Sequence, residues 1–193
     1  MAKTTDVLIV GVGGQGVLLA SRILSRVLTI EGFDVKVSEV HGMAQRGGSV
    51  HSMVRYGDKI YSPLIAQGEA DYILGFELLE TLRWAPYLSA EGCLIVNDQR
   101  IDPLPVAIGK QAYPSDVIER LTTISRHLTV VPAQQLAVEA GNVRAANLVL
   151  VGALAREMPF VAETWKGVIR GSVPQKTVDI NLKAFKLGLE LDR

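Results

Sequence analysis

Residues 7–16, Val-Leu-Ile-Val-Gly-Val-Gly-Gly-Gln-Gly, constrain the fold of this chain more than any other stretch. A short run of β-formers enters a glycine-rich turn, and an apolar helical pattern starts directly after it. Gly11, Gly13 and Gly16 satisfy G-x-G-x-x-G in the order strand, turn, helix, which is the context that pattern needs. The expected roles are physical ones. Gly11 allows the tight turn, Gly13 admits a ligand or a second backbone, and Gly16 lets the helix pack near the strand. With Gly14 and Gln15, these residues lead into a helix N-terminus whose N–H groups and dipole favour an anion. The feature points to a nucleotide-type α/β domain and does not by itself name a ligand.

The rest of the chain extends the β-α alternation. Val17, Ala20, Leu24, Val27 and Leu28 fall on one face of a helix predicted over 15–31, and a second strand is predicted over 34–40. Residues 50–56 alternate, and Gly57-Asp58 is the expected two-residue turn of a hairpin into a strand at 59–62. Further strands are expected at 70–76, 93–97 and 128–131, with helices at 77–84, 116–126, 142–157 and 162–170. Residues 98–115 carry Pro103, Pro105, Gly109 and Pro114 and read as an irregular connection. In the last helix Val178, Leu182, Phe185 and Leu189 make one face. No linker or repeat divides residues 1–193, so one α/β domain with a helical C-terminal extension is expected.

Composition excludes several chemistries. Lysine plus arginine equals aspartate plus glutamate, so no global charge draws the chain to nucleic acid or an anionic membrane. No stretch approaches the roughly 20 apolar residues of a membrane span. The start Met-Ala-Lys-Thr-Thr-Asp leaves no room for a signal peptide before the first strand, and a cytoplasmic location is expected. Cys93 is the single cysteine. It rules out an internal disulfide, a thiolate zinc site and a four-cysteine iron–sulfur cluster, and is expected as a small core residue.

A second segment could carry chemistry. Residues 39–49, Glu-Val-His-Gly-Met-Ala-Gln-Arg-Gly-Gly-Ser, follow the second strand, where loops surround the ligand crevice of a doubly wound sheet. His41, Gln45 and Arg46 could anchor a ligand, and Gly47-Gly48 permits a nest of backbone N–H groups around an anion. The plain alternative is a glycine-rich turn with Arg46 in an ion pair. Glu39 stands where NAD-binding folds keep a carboxylate for the ribose, although pairing with Arg46 or Arg55 is the favoured expectation. His41 and His51 lack the spacing and third ligand of a metal site, and His127 is expected at a helix C-terminus. No catalytic residue is assigned, because no acid–base or nucleophilic site can be assembled.

Three segments together resemble the gamma subunit, or gamma domain, of 2-oxoacid:ferredoxin oxidoreductases. They are Gly11-Val-Gly-Gly-Gln-Gly16, Arg46-Gly-Gly48 and Asn181-Leu-Lys-Ala-Phe-Lys-Leu-Gly188. Within that family His41-Gly-Met-Ala-Gln-Arg-Gly-Gly48 is most similar to the small subunit of the indolepyruvate branch. The resemblance spans residues 6–190 and implies a Rossmann-like, mostly parallel sheet with helices on both faces and an inserted β-hairpin. It implies that a large partner subunit holds thiamine diphosphate, magnesium and iron–sulfur clusters, decarboxylates an aryl pyruvate and passes electrons to ferredoxin. This chain would bind no cofactor tightly, be inactive alone, and complete the complex. Coenzyme A would meet it at the subunit interface through Gly11, Gly13, Gly14, Gln15, Gly16, His41, Gln45, Arg46, Gly47 and Gly48.

Two other readings stay open on the residues alone. One is a stand-alone NAD(P)-dependent oxidoreductase using the glycine turn and Glu39. The other is an interaction module whose glycine turn packs against protein and holds no ligand.

Overall fold

The computed structural model describes residues 4–40 and 47–191, together with the backbone of His41. Strand β1 (Thr5–Val12) is buried from Asp6 onward, as a run of Val, Leu and Ile requires when both faces of a sheet are covered. It lies inside a six-stranded sheet of order β2-β3-β1-β4-β5-β6. The others are β2 (Asp34–His41), β3 (Ser49–Gly57), β4 (Ala70–Gly75), β5 (Leu88–Asn97) and β6 (His127–Val131). β1, β4, β5 and β6 run parallel, and β3 runs antiparallel to both β1 and β2.

Strand alternation divides the core in two. Val7, Ile9, Leu74 and Ile95 face α1 (Val17–Ile30) and the helices α5 (Ala133–Ala140), α6 (Ala146–Glu157), α7 (Ala162–Arg170) and α8 (Val178–Leu189). Leu8, Val10, Ile73, Leu94 and Val96 face α2 (Leu78–Trp84) and α4 (Val117–Ile124). The single turn α3 (Leu104–Ala107) sits in the connection before α4. The crossover after β1 therefore covers one face and those after β4 and β5 the other. That change of side makes the border of β1 and β4 the topological switch point.

The doubly wound architecture agrees with the sequence reading, and four details correct it. The hairpin is β2 with β3, joined across residues 42–48, and residues 59–62 are no strand. The expected Gly57-Asp58 turn fails because Asp34 Oδ2 accepts from Ile60 N–H at 2.8 Å and Leu64 O accepts from Arg55 Nη1 at 2.7 Å. Those bonds, with Pro63 unable to donate, hold the segment as a strap. Helix α1 starts at Val17, because Gly16 adopts φ +97° and cannot be its first turn. The helix expected over 142–157 opens with a 3-10 turn at Val143–Ala145, where Asn142 Oδ1 caps Arg144 N–H. His127 begins β6 and is exposed, so it serves no helix end.

The C-terminal helices dock through missing side chains. A Cβ at Gly152 of α6 would stand 2.1 Å from Phe185 O, and one at Gly188 of α8 would stand 1.9 Å from Val149 O. Gly152→Ala should therefore destabilise the chain by about 1–3 kcal/mol, because the obstacle is backbone that cannot rotate away. Urea unfolding of the variant measures this, and an unchanged midpoint would contradict the packing described.

Candidate functional site

The two glycine-rich segments meet in space. Gly13 N–H donates to Gly48 O at 2.8 Å, and Gly47 N–H donates to Gly13 O at 3.3 Å, so the β1–β3 ladder continues past Val12. The close neighbour that Gly13 admits is thus a second backbone. Gly47 spends its N–H on Gly13, which removes it from the anion nest expected of Gly47-Gly48. Gln45, Arg46 and the side chain of His41 lie outside the described residues.

Each glycine of the turn meets a different constraint. A Cβ at Gly11 would stand 2.7 Å from Phe76 Cβ, so Gly11 serves close packing of β1 on the end of β4. The tight turn belongs to Gly14 and Gly16, at φ +102° and +97°. Nothing lies within 4 Å of a Cβ built on Gly14, whereas one on Gly16 would stand 2.7 Å from Asn147 Nδ2 of α6.

Gln15 bridges the switch point. Its Oε1 accepts from Val12 N–H at 2.7 Å, and its Nε2 donates to Phe76 O at 2.8 Å and Gln99 Oε1 at 2.9 Å. Both amide hydrogens are committed to protein. Asn97, at 1% exposure, donates from Nδ2 to Phe76 O at 3.0 Å and Gln99 Oε1 at 3.1 Å. Beside these carboxamides a cavity of about 420 Å³ is lined by Gln15, Gln99, Gln134, Arg144 and Asn147. Sequence reasoning missed Asn97, Gln99, Gln134 and Asn147, which lie on three separate stretches with no shared motif.

On the other side of the turn a mostly apolar cavity of about 520 Å³ runs along α1, lined by Val12, Gly13, Gly14, Gly16, Leu18 and Arg22 among others. The first turn of α1 holds no acidic residue and Gly16 supplies no side-chain cap. Uncapped N–H groups, a dipole and the Arg22 guanidinium together suit an anion attached to an apolar body.

Glu39 does not pair with Arg55, and Arg46 lies outside the described residues. Glu39 Oε1 accepts from Ser21 Oγ of α1 at 2.9 Å, while Arg55 pairs with Asp6 at 2.8 Å. Because β3 separates β2 from β1, Glu39 stands two strand spacings from the turn, about 10 Å instead of about 5 Å. The ribose carboxylate of a dinucleotide fold sits on the neighbouring strand, so the NAD geometry is absent.

Two further side chains carry physical information. Cys93 is partly buried and its thiol is pushed up to about 11 by desolvation and then by the Glu157 carboxylate, against Arg156. His51 packs its ring 4.2 Å from that of Trp84, which lies 4.9 Å from Tyr87. Burial holds His51 below its ordinary value of 6.5.

The fold and the turn define a class, and comparison with known proteins identifies it. The chain belongs to the pyruvate ferredoxin/flavodoxin oxidoreductase family, whose model matches residues 6–191. It is 44% identical over 193 residues to indolepyruvate oxidoreductase subunit IorB of Pyrococcus horikoshii, covering 97% of this chain and 96% of that one. The same subunit of Thermococcus kodakarensis is 41% identical with the same coverage. Among solved structures, the keto/oxoacid ferredoxin oxidoreductase gamma subunit of Geobacter sulfurreducens PCA superposes with a TM-score of 0.72 at 23% identity, covering 96% of each chain. The 2-oxoglutarate:ferredoxin oxidoreductase of Magnetococcus marinus, solved with coenzyme A bound, gives 0.73 at 20% identity, covering 97% of this chain and 30% of that one.

Gly14→Ala should cost about 1–2 kcal/mol from backbone strain alone. Gly16→Ala should cost more, because it adds the Asn147 collision, and Asn147→Ala in the same chain should recover the excess. Denaturant midpoints of the three variants decide this, and equal costs for the single variants would refute the packing role.

For His51 the sign follows from linkage. The unfolded chain binds the proton more tightly, so the stability from the buried neutral ring is full above pH 6.5 and is lost as pH falls below it. His51→Leu should flatten that part of the stability–pH curve, as urea midpoints between pH 7.5 and about 5 would show.

Proposed function

We propose that this chain is the small subunit of a 2-oxoacid:ferredoxin oxidoreductase acting on indolepyruvate or another aryl 2-oxo acid. The observation that carries the reading is 44% identity to an indolepyruvate oxidoreductase subunit over almost the full length of both chains. The donor set supports the division of labour. One cysteine cannot ligate an iron–sulfur cluster, and among the described residues no three His, Cys, Asp or Glu side chains group as a metal site. We place thiamine diphosphate, with magnesium, and the clusters on a large partner subunit, where they would supply decarboxylation and electron transfer to ferredoxin.

What this chain does fit is coenzyme A at the interface. Its phosphates suit the uncapped N-terminus of α1 and Arg22, and its pantetheine arm suits the apolar cavity along α1. Gly13, Gly14 and Gly16 would form the approach, with Gln15 and Gly11 holding its shape. The family resemblance assigns His41, Gln45, Arg46, Gly47 and Gly48 to the same ligand contact. Among the described residues no helix is long and apolar enough to cross a membrane, and we place the complex in the cytoplasm.

Co-expression with the large subunit tests the reading. The complex should reduce a viologen dye with indolepyruvate in a coenzyme A-dependent reaction, and neither chain alone should do so. Arg46→Ala should lower that rate about tenfold, the equivalent of one lost charge-assisted contact. Dye reduction by the isolated chain, or full activity of the large subunit without it, would overturn the assignment.

A further inference from the structure

Above the carboxyl ends of the strands, three amide donors converge on one carbonyl oxygen. Gln99 Oε1 accepts from Gln15 Nε2 at 2.9 Å, from Asn97 Nδ2 at 3.1 Å and from Gln134 Nε2 at 2.5 Å. The donors come from the turn after β1, the end of β5 and the first turn of α5. A carboxamide oxygen has two lone pairs, so three N–H groups create a spot of surplus positive potential. Gln15 relays this contact into the turn, since its Oε1 takes the N–H of Val12 at 2.7 Å.

Gln99 is itself fixed from behind. Its backbone O accepts from Leu78 N–H at 3.0 Å. Two residues on, Ile101 N–H donates to Glu77 Oε1 at 3.1 Å, which also accepts from Tyr113 OH at 2.6 Å. Glu77 is 1% exposed and its Oε2 caps α2 through Glu80 N–H at 2.8 Å. The irregular connection after β5 is thereby pinned at two places, with Gln99 carried between the turn and α5.

We propose that Gln99 is the positioning residue of the glycine turn. It acts through Gln15, setting the backbone of residues 12–16 in the orientation that receives a ligand, and it makes no ligand contact itself. The kinetic consequence rests on the coenzyme A reading given above; the positioning role does not. Gln99→Leu removes the acceptor that three N–H groups share and leaves Gln15 and Asn97 only Phe76 O, whereas Gln99→Glu keeps the acceptor and adds a charge that three donors favour.

The test uses the reconstituted complex of this chain with its large subunit. Amide hydrogen exchange of residues 12–16 is measured without ligand, and KM and kcat are measured with coenzyme A as the varied substrate. In Gln99→Leu, exchange at the turn should rise about tenfold, and KM should rise about tenfold with kcat within about twofold. Gln99→Glu should restore both. Where Gln99→Leu does not fold, Gln134→Ala removes one of the three donors and should shift exchange in the same direction by a smaller amount. Unchanged turn exchange in the variant that folds, or failure of Gln99→Glu to restore it, overturns the proposal. Faster exchange with an unchanged KM upholds the positioning role and counts instead against coenzyme A as the ligand.

Discussion

Eight residue pairs, from Thr5 opposite Tyr56 to Val12 opposite Ser49, hold β3 antiparallel against β1. The site end of the molecule depends on that ladder. It pushes β2 to the sheet edge and carries Glu39 away from the glycine turn. It also sets Gly47 and Gly48 directly beside Gly13, where backbone pairing joins two segments that lie far apart in sequence. A parallel β1–β2 neighbourhood would have left a carboxylate beside the turn and room for a ribose. The inserted strand moves that carboxylate one strand further out, so the glycine turn here has no acidic partner on a neighbouring β2.

Much of this was legible in the sequence because the signals were local and periodic. The apolar run of residues 7–10, the one-faced helix with Val17, Ala20, Leu24, Val27 and Leu28, and the family motifs each lie within a few residues. Gly16 was expected to let α1 approach the strand, whereas it supplies the left-handed turn and the close approach of Asn147 from α6. The hairpin was misplaced because Gly57-Asp58 carries turn chemistry that two side chains outbid. Asp34 and Arg55 reach across the edge of the sheet to bond residues 60 and 64, and no pattern in the chain announces such contacts. The contact of Glu39 with Ser21 was hidden for the same reason, since it depends on how α1 crosses the sheet.

The carboxamide bridge was beyond reach from sequence alone. Gln15, Asn97, Gln99 and Gln134 are ordinary polar residues when read singly, and only the parallel order β1-β4-β5 sets them in one layer. Their value lies in being satisfied together. In a partly buried layer each N–H that finds an oxygen avoids a desolvation cost of about 1–3 kcal/mol, so removing the shared acceptor is felt by several groups at once.

The thiol of Cys93 has a practical consequence. Held at about 11, it is in the reactive thiolate form at neutral pH about a hundredfold less often than at its ordinary value of 9.0. Because the chain has no other cysteine, a thiol introduced at an exposed position would react with maleimide well ahead of the native one. A dye or spin label could then be attached at a chosen place without first deleting Cys93, and distances across the assembled complex could be read from an otherwise native polypeptide.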